Sequence, residues 1–550
     1  MRKKHFLFAS VLALLCGSST LHAQDFKLTS SGYFKNQGVD VMAFDDIYPE
    51  GHQGGVCIIM NGHRVATNGD IRLEATPGQW QPVPKQLDRK LGDNSITATL
   101  CYPDSSRHLT GFNPMIYPDL HLIYTVNVES KGKNIEVTVD LDRPIPQEFI
   151  GKVGFNLEFF PGSLFGKPWI MDGQSGIFPQ QPNSPLMTTQ PNYLHTGNYH
   201  DGKQSLADMD KLIGKGYSPI VADDIISEPY AKGTKFTSRP DDPYNKVTIE
   251  SLSGDLQLFD GRMNHNNGWF VLRSNIKPGV TKGAVKWIIT PNVVADWMYQ
   301  PVIQTSQIGY HPTQDKEAVI EMDIRDNRKE TAQIIRIDAD GEKVVKNVTP
   351  ANWGKFLRYN YLKVNFTDVK EPGLYKIKYN TSVSPIFRID NDVYARGVWQ
   401  PVLEYFLPVQ MCHMRVNEKY RVWHDCCHMD DAQMAPAHNH IDGYDQKEGL
   451  SKFKPGEVVP GVNIGGWHDA GDFDLRIESQ AGESYILALA YEAFHPNLDV
   501  TSIDQINRVT EIHQPDGKND LLQQVENGAL TVVNGYLALG RLYRGIICND

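Results

Sequence analysis

Between Gly465 and Asp474 the chain reads GGWHDAGDFD, which sets three carboxylates, an imidazole and two aromatic rings among glycines. Asp469 and Asp472 are separated by Ala470 and Gly471, so a tight turn or the start of a helix would aim both carboxylates at one spot. Two acids at that range can share a water: one holds it while the other takes its proton. Trp467 and Phe473 flank the pair, and aromatic faces beside carboxylates receive the apolar face of a sugar ring. The same letters also suit a surface loop with Asp caps, or a calcium loop, since D-x-x-D-x-D offers hard oxygen ligands.

Upstream lies CHMRVNEKYRVWHDCCHMDDA, from Cys412 to Ala432. Cys412, Cys427 and His428 with one more nitrogen would make a tetrahedral set of two thiolates and two imidazoles, the composition of closed structural zinc sites. His468 or His424 could supply that nitrogen. His468 is preferred, because a metal bond from it would fix the acidic loop onto the upstream segment. A Cys412 to Cys427 disulfide, or a vicinal bridge between Cys426 and Cys427, competes with zinc in an oxidising compartment. His424 is grouped with Trp467 and Phe473 as substrate-facing.

These groups need elements to hold them. From residue 24 to about 300 the pattern is strands and turns: LHLIYTVNVES and IEVTVDLDRP alternate apolar and polar residues across the turn KGKN, and VCIIM and IRLEA flank Asn61-Gly62. A large β-sandwich is expected there, with long loops over 161–240, where Pro, Gly, Asn and Asp concentrate. Residues 301–390 repeat short alternating runs at the spacing of an immunoglobulin-like domain. After Asp390 the period changes: ARGVWQPVLEYFLPVQMC, ESYILALAYEAF and NDLLQQVENGALTVVNGYLALGRLYRGI carry apolar residues at helical spacing, so residues 391–550 read as helical.

The third block resembles the start of the catalytic domain of glycoside hydrolase family 9, the cellulase family with an immunoglobulin-like domain ahead of an (α/α)6 barrel. Three stretches carry the likeness. The Cys412 segment is similar to the family's Cys, His and Asp-Ala segment, GGWHDAGDFD to its Gly-Trp-x-Asp-Ala-Gly-Asp signature, and GKNDLLQQVENGAL to its Pro-Asp-Leu-Leu-Asp-Glu helix. SQIGYHP and FTDVKEPGLYKIK resemble the opening and last strands of the family's accessory domain.

The resemblance covers residues 303–550. It implies that Asp472 is the general base, that Asp469 helps hold the water, and that Cys412, Cys427, His428 and His468 bind a structural zinc; calcium is a further expectation. It also implies inversion at the anomeric carbon, with base and acid ~6.5–9.5 Å apart. The family's general acid is a Glu near the end of the barrel, and it is expected beyond Asp550. Twelve helices with their loops need ~300 residues, and only 160 follow Asp390. Glu478, considered as a substitute acid, reads instead as a first-turn glutamate.

Length and charge bound the rest. At 550 residues the chain should hold about three domains. Its 54 basic and 65 acidic residues give a net charge of -11, which argues against a nucleic-acid partner and suits a neutral glycan. Residues 1–23 have a basic start, a short apolar run and a small residue, Ala23, at the end, so a cleaved export signal is expected; a lipid anchor on Cys16 fits less well because Leu15 is bulky. No later stretch reaches the length of a membrane span. Of the six cysteines that remain, Cys57 and Cys101 could pair in an exported protein. The reading reached is a multidomain chain: an N-terminal β-sandwich (24–300), an immunoglobulin-like β-sandwich (301–390) and the first portion of an all-α (α/α)6 barrel (391–550). Its expected role is that of an exported, inverting hydrolase of β-1,4-linked glucan, polysaccharide or oligosaccharide. The competing reading is a secreted glycan-binding protein whose helical block no longer catalyses. A zinc hydrolase is disfavoured, because two thiolates and two imidazoles leave no open position for water.

Overall fold

The computed structural model describes residues 25–45, 54–74, 76–77, 84–102, 121–183, 187–189, 225–263, 268–430, 432–435, 449–470 and 473–547. The expected leader with Cys16, the base candidate Asp472, Cys548 and much of the 161–240 region lie outside them. Among the described residues the architecture is mostly β-sheet, and no helix is long and apolar enough to cross a membrane.

At the N-terminal end of the chain, a pair of nine-stranded sheets shares one apolar core. The alternation read across KGKN becomes a hairpin: strands Ile123–Lys131 and Asn134–Leu141 pair antiparallel, with Val126 opposite Val139 and Val128 opposite Val137, all four buried. Period two puts every second side chain on one face, so this hairpin buries one face only. Strand Val153–Phe159, near the middle of the other sheet, is buried on both faces. Asn61 and Gly62 both have positive φ, as a two-residue hairpin turn requires, and they join Val56–Met60 to His63–Leu73. The 161–240 region, read as loops, is partly sheet: Pro168–Met171, Gln174–Ile177 and Lys235–Ser238 join the sheet that holds the 123–141 hairpin. Strands of four residues among turns are too short for periodicity to register. The Cys57 and Cys101 thiols each turn to a nearby carbonyl, that of Gly54 and of Tyr102, both at 3.0 Å.

Next come two smaller sheets around a second core. One has the order Val302–Gln304, Glu317–Asp323, Tyr359–Asn365, Ala351–Phe356. The other is built on Gly341–Val348, Ala332–Asp338 and Gly373–Tyr379.

The third block differs from the expectation of an all-helical region. Two long helices, α1 (Ile477–Phe494) and α2 (Asp520–Leu539), pack on one another, and Asn519 caps α2 by accepting from the Leu521 and Leu522 N–H groups. Around Pro401 and Pro408, which lack N–H donors, the expected helix shrinks to a π-turn (Val402–Phe406) and one α turn (Leu407–Gln410). A four-stranded sheet also appears: Arg415–Glu418, Arg421–His424, Thr501–Asp504 and Val509–Ile512. The described residues of this block do not form a barrel.

Candidate metal centre and acidic loop

The site is built by backbone before side chains enter. Met411 and Trp467 form an antiparallel bridge, with Cys412 N–H donating to the Gly466 carbonyl and His468 N–H to the Gln410 carbonyl, both at 2.9 Å. From below, α2 holds the same strand: Gly466 N–H donates to the Asn527 carbonyl, and the Asn527 amide returns a bond to the Gly466 carbonyl, each 2.9 Å. Gly465 has φ +73, and a Cβ there would collide with the Asn527 carbonyl, so only glycine allows this approach.

The bridge delivers His468 to the cysteines. The donor atoms of Cys412, Cys427 and His468 lie within 4.8 Å of one another; Cys427 Sγ is 3.4 Å from Cys412 Sγ and 3.2 Å from His468 Nε2. His428, the fourth expected ligand, is outside that group, with its ring centre 5.5 Å from that of His468. The Cys412 thiol, helped by His424, His468 and the His413 backbone N–H against the opposing effect of burial, pulls the Cys427 thiol far below its ordinary range. It is thus set up as a thiolate, the form that binds metal. His424, grouped above with the substrate-facing residues, is turned to this centre. Its nitrogens meet the Asp425 and Val409 carbonyls at 2.9 and 3.0 Å, and the Cys427 sulfur raises its pKa to about 8.

The sequence reading missed His413. It is fully buried, its Nδ1 meets the Gly465 carbonyl at 2.8 Å, and its Nε2 has no hydrogen-bond partner. Desolvation pushes its pKa down to about 4. The only signal available was its position next to Cys412. A buried thiol and a half-buried one, an imidazole and an orphaned imidazole nitrogen nearby are a donor set that fits zinc.

On the acidic side, the Asp469 N–H donates to the Asp474 carbonyl at 2.8 Å and closes the loop. Arg476 braces it twice, with Nε 2.9 Å from Asp469 Oδ2 and a terminal nitrogen 2.8 Å from Asp474 Oδ2. Phe473, half exposed and at positive φ, places its ring 5.1 Å from His468. Trp467 does not offer a face to substrate. Its side chain is 1 % exposed, its indole N–H donates to Gln524 Oε1 at 2.8 Å, its backbone is held at both ends by the Gln480 amide, and its ring lies where any side chain at position 528 would sit. Aromatic letters beside acids do not report partners 13, 57 and 61 residues away, and those partners decided its place. Glu483 of α1 is an additional carboxyl here, raised above its usual range by desolvation and by Asp469. Glu478 is ion-paired with Arg544 at 3.0 Å.

With this geometry in place, the chain was compared with known proteins. Solved structures that share limited likeness with it include three glycoside hydrolases. A zinc-binding triple mutant of the glycoside hydrolase family 9 endoglucanase J30 is 22 % identical, over 41 % of this chain and 38 % of that one, with a TM-score of 0.31. Endoglucanase J30 itself has the same identity and coverage, with a TM-score of 0.30. A family 9 glycoside hydrolase of Bacteroides ovatus is 20 % identical, over 42 % and 39 %, with a TM-score of 0.32. The chain therefore spans about two fifths of the length of these proteins. No curated protein matches it. Residues 298–384 match the family model of the cellulase N-terminal Ig-like domain.

Proposed function

We propose that the protein is an exported inverting glycoside hydrolase of the family 9, endoglucanase type, acting on β-1,4-linked glucan. The observation that carries this reading is the order of segments along the chain. A cellulase Ig-like domain at 298–384 directly precedes a segment whose Gly-Trp-His-Asp-Ala-Gly-Asp loop is pinned, through the Met411 to Trp467 bridge, to a cluster of two thiols and an imidazole. In this reading Asp472 takes the proton of the attacking water. Asp469, oriented by Arg476, holds that water, and Phe473 meets the sugar ring. Cys412, Cys427 and His468 with His428 or His413 hold a zinc, whose contribution is to lock the loop in place. The α1 and α2 helices are the first helices of an (α/α)6 barrel.

The test is hydrolysis of soluble β-1,4-glucan by the full gene product, with the anomeric configuration of the new end followed by NMR. The axial anomer should appear first, and Asp472→Ala should abolish turnover while glycan binding survives. Turnover retained by Asp472→Ala, or an equatorial first product, would remove the base assignment.

A further inference from the structure

The immunoglobulin-like domain carries aromatic rings on the wrong side for its own core. In strands Glu317–Asp323 and Tyr359–Asn365 the residues Ala318, Ile320, Met322, Leu362 and Val364 fill the core, so Glu321, Tyr359 and Tyr361 fall on the outer face. Register places Tyr361 opposite Glu321 and Phe356 opposite Tyr359, and a bulge at Trp353 adds a further ring to the same row. The rings touch in sequence: Trp353 to Tyr361 at 5.6 Å, Tyr361 to Tyr359 at 6.1 Å, Tyr359 to Tyr299 at 5.1 Å. The Tyr299 end lies against the Asn61-Gly62 turn of the N-terminal sandwich, whereas Trp353 and Phe356 are 58 % and 56 % exposed. Cross-strand aromatic pairing accounts for the closed end. It gives no reason for a tryptophan and a phenylalanine in water at the open end.

The polar groups of the row converge on one carboxylate, that of Glu321. Glu321 accepts from the Tyr299 hydroxyl at 2.8 Å and from the Tyr361 hydroxyl at 3.2 Å, and each carboxylate oxygen keeps a further lone pair. Asp323 follows on the same face but is buried and ion-paired with Arg325 at 2.8 Å, and Lys363, next on that face after Tyr361, is paired with Glu317 at 2.6 Å, which leaves Glu321, among the described residues, as the carboxylate of the row without a cation. Ring faces beside the Glu321 carboxylate complement a ligand that brings apolar C–H faces and hydroxyl donors, and that charge opposes an anionic chain. We propose that this strip, centred on Trp353 and Tyr361, is a second glycan-binding surface that takes a neutral pyranose chain. It lies on a different domain from the acidic loop and does not depend on catalysis; only the choice of β-1,4-glucan as first probe rests on the hydrolase reading.

The experiment is affinity electrophoresis of the full chain through gels containing β-1,4-glucan, an α-glucan or polygalacturonate. Neutral β-glucan should retard the protein. Trp353→Ala and Tyr361→Ala should each weaken retardation about tenfold, and Trp353→Phe should restore most of it. Melting temperature and sedimentation should stay unchanged in each variant. Failure of every neutral glycan to retard the protein, retardation by polygalacturonate alone, or full retardation of the Trp353→Ala, Tyr361→Ala double variant would overturn the proposal. So would a change from dimer to monomer in Trp353→Ala, which would make a second copy the occupant. Asp472→Ala separates the two readings: loss of turnover with intact retardation touches only the hydrolase, and the converse touches only the strip.

Discussion

Trp287 and Trp467 are both closed to water, yet they are closed in different ways. Trp287 lies in the core shared by the two N-terminal sheets, edge-on to Phe155 at 4.9 Å, with its indole N–H on Ser274 Oγ at 3.0 Å. Both sheets contribute buried apolar residues to the core around it. Trp467 is closed by α1 and α2, which leave apolar residues on their other sides: Ile486 and Phe494 are 62 % and 81 % exposed. Two sheets can saturate each other, whereas two helices around one loop cannot. The third block therefore depends more on point attachments, such as the Cys/His cluster and the Arg476 brace, than on core area.

The largest effect that would test this contrast is metal removal. Chelation, or Cys427→Ala, should split thermal unfolding into two transitions and lower that of the third block by on the order of 10 °C or more, with the sandwich unmoved. A single transition that moves as one would erase the distinction. Truncating the two tryptophans comes next. Trp287→Ala should cost about 3–5 kcal/mol by denaturant titration. Trp467→Ala should cost a similar amount and also lower zinc stoichiometry, because the strand carrying His468 loses its anchor. Normal zinc content in that variant would break the proposed coupling.

A smaller effect separates the regions by pH. Burial raises the Asp70 carboxyl from 3.8 to about 6, against the pull of Arg72, the Ile71 N–H and the Tyr124 hydroxyl. Between those values the folded form binds the proton that the unfolded form has released. Sandwich stability from this group is thus full below about pH 4 and is lost as pH rises through 6, by on the order of 2 kcal/mol. Asp70→Asn should flatten that slope in the sandwich transition only. The smallest effect is expected at the exposed face of α1, where Phe494→Ser should change stability by less than about 0.5 kcal/mol. A large loss would mean that this face is covered.

The hairpin at 123–141 was legible because its information is local: alternation on either side of KGKN fixes both faces and the register. Helix α2 was legible for the same reason, from the apolar spacing within NDLLQQVENGALTVVNGYLAL. At the site, the thiols and His468 could be brought together on paper because a metal joins residues regardless of their separation. Trp467 was misread because its surroundings come from α1 and α2. The sheet formed by Arg415–Glu418 and Val509–Ile512 was invisible because four-residue strands carry no periodicity and their pairing spans the whole block.

That last pairing also sets an order of events during synthesis. Arg415 to Asn417 align in parallel with Val509 to Glu511, so residues 94 apart must meet before this sheet exists. Contacts of such sequence separation close late and slowly. As the chain leaves the ribosome, the two sandwiches are complete while Cys412, Cys426 and Cys427 still lie on an open segment. The thiols of the proposed metal centre therefore pass through an interval in which oxidants and mispairing compete for them, and fast capture of His468 would shorten it.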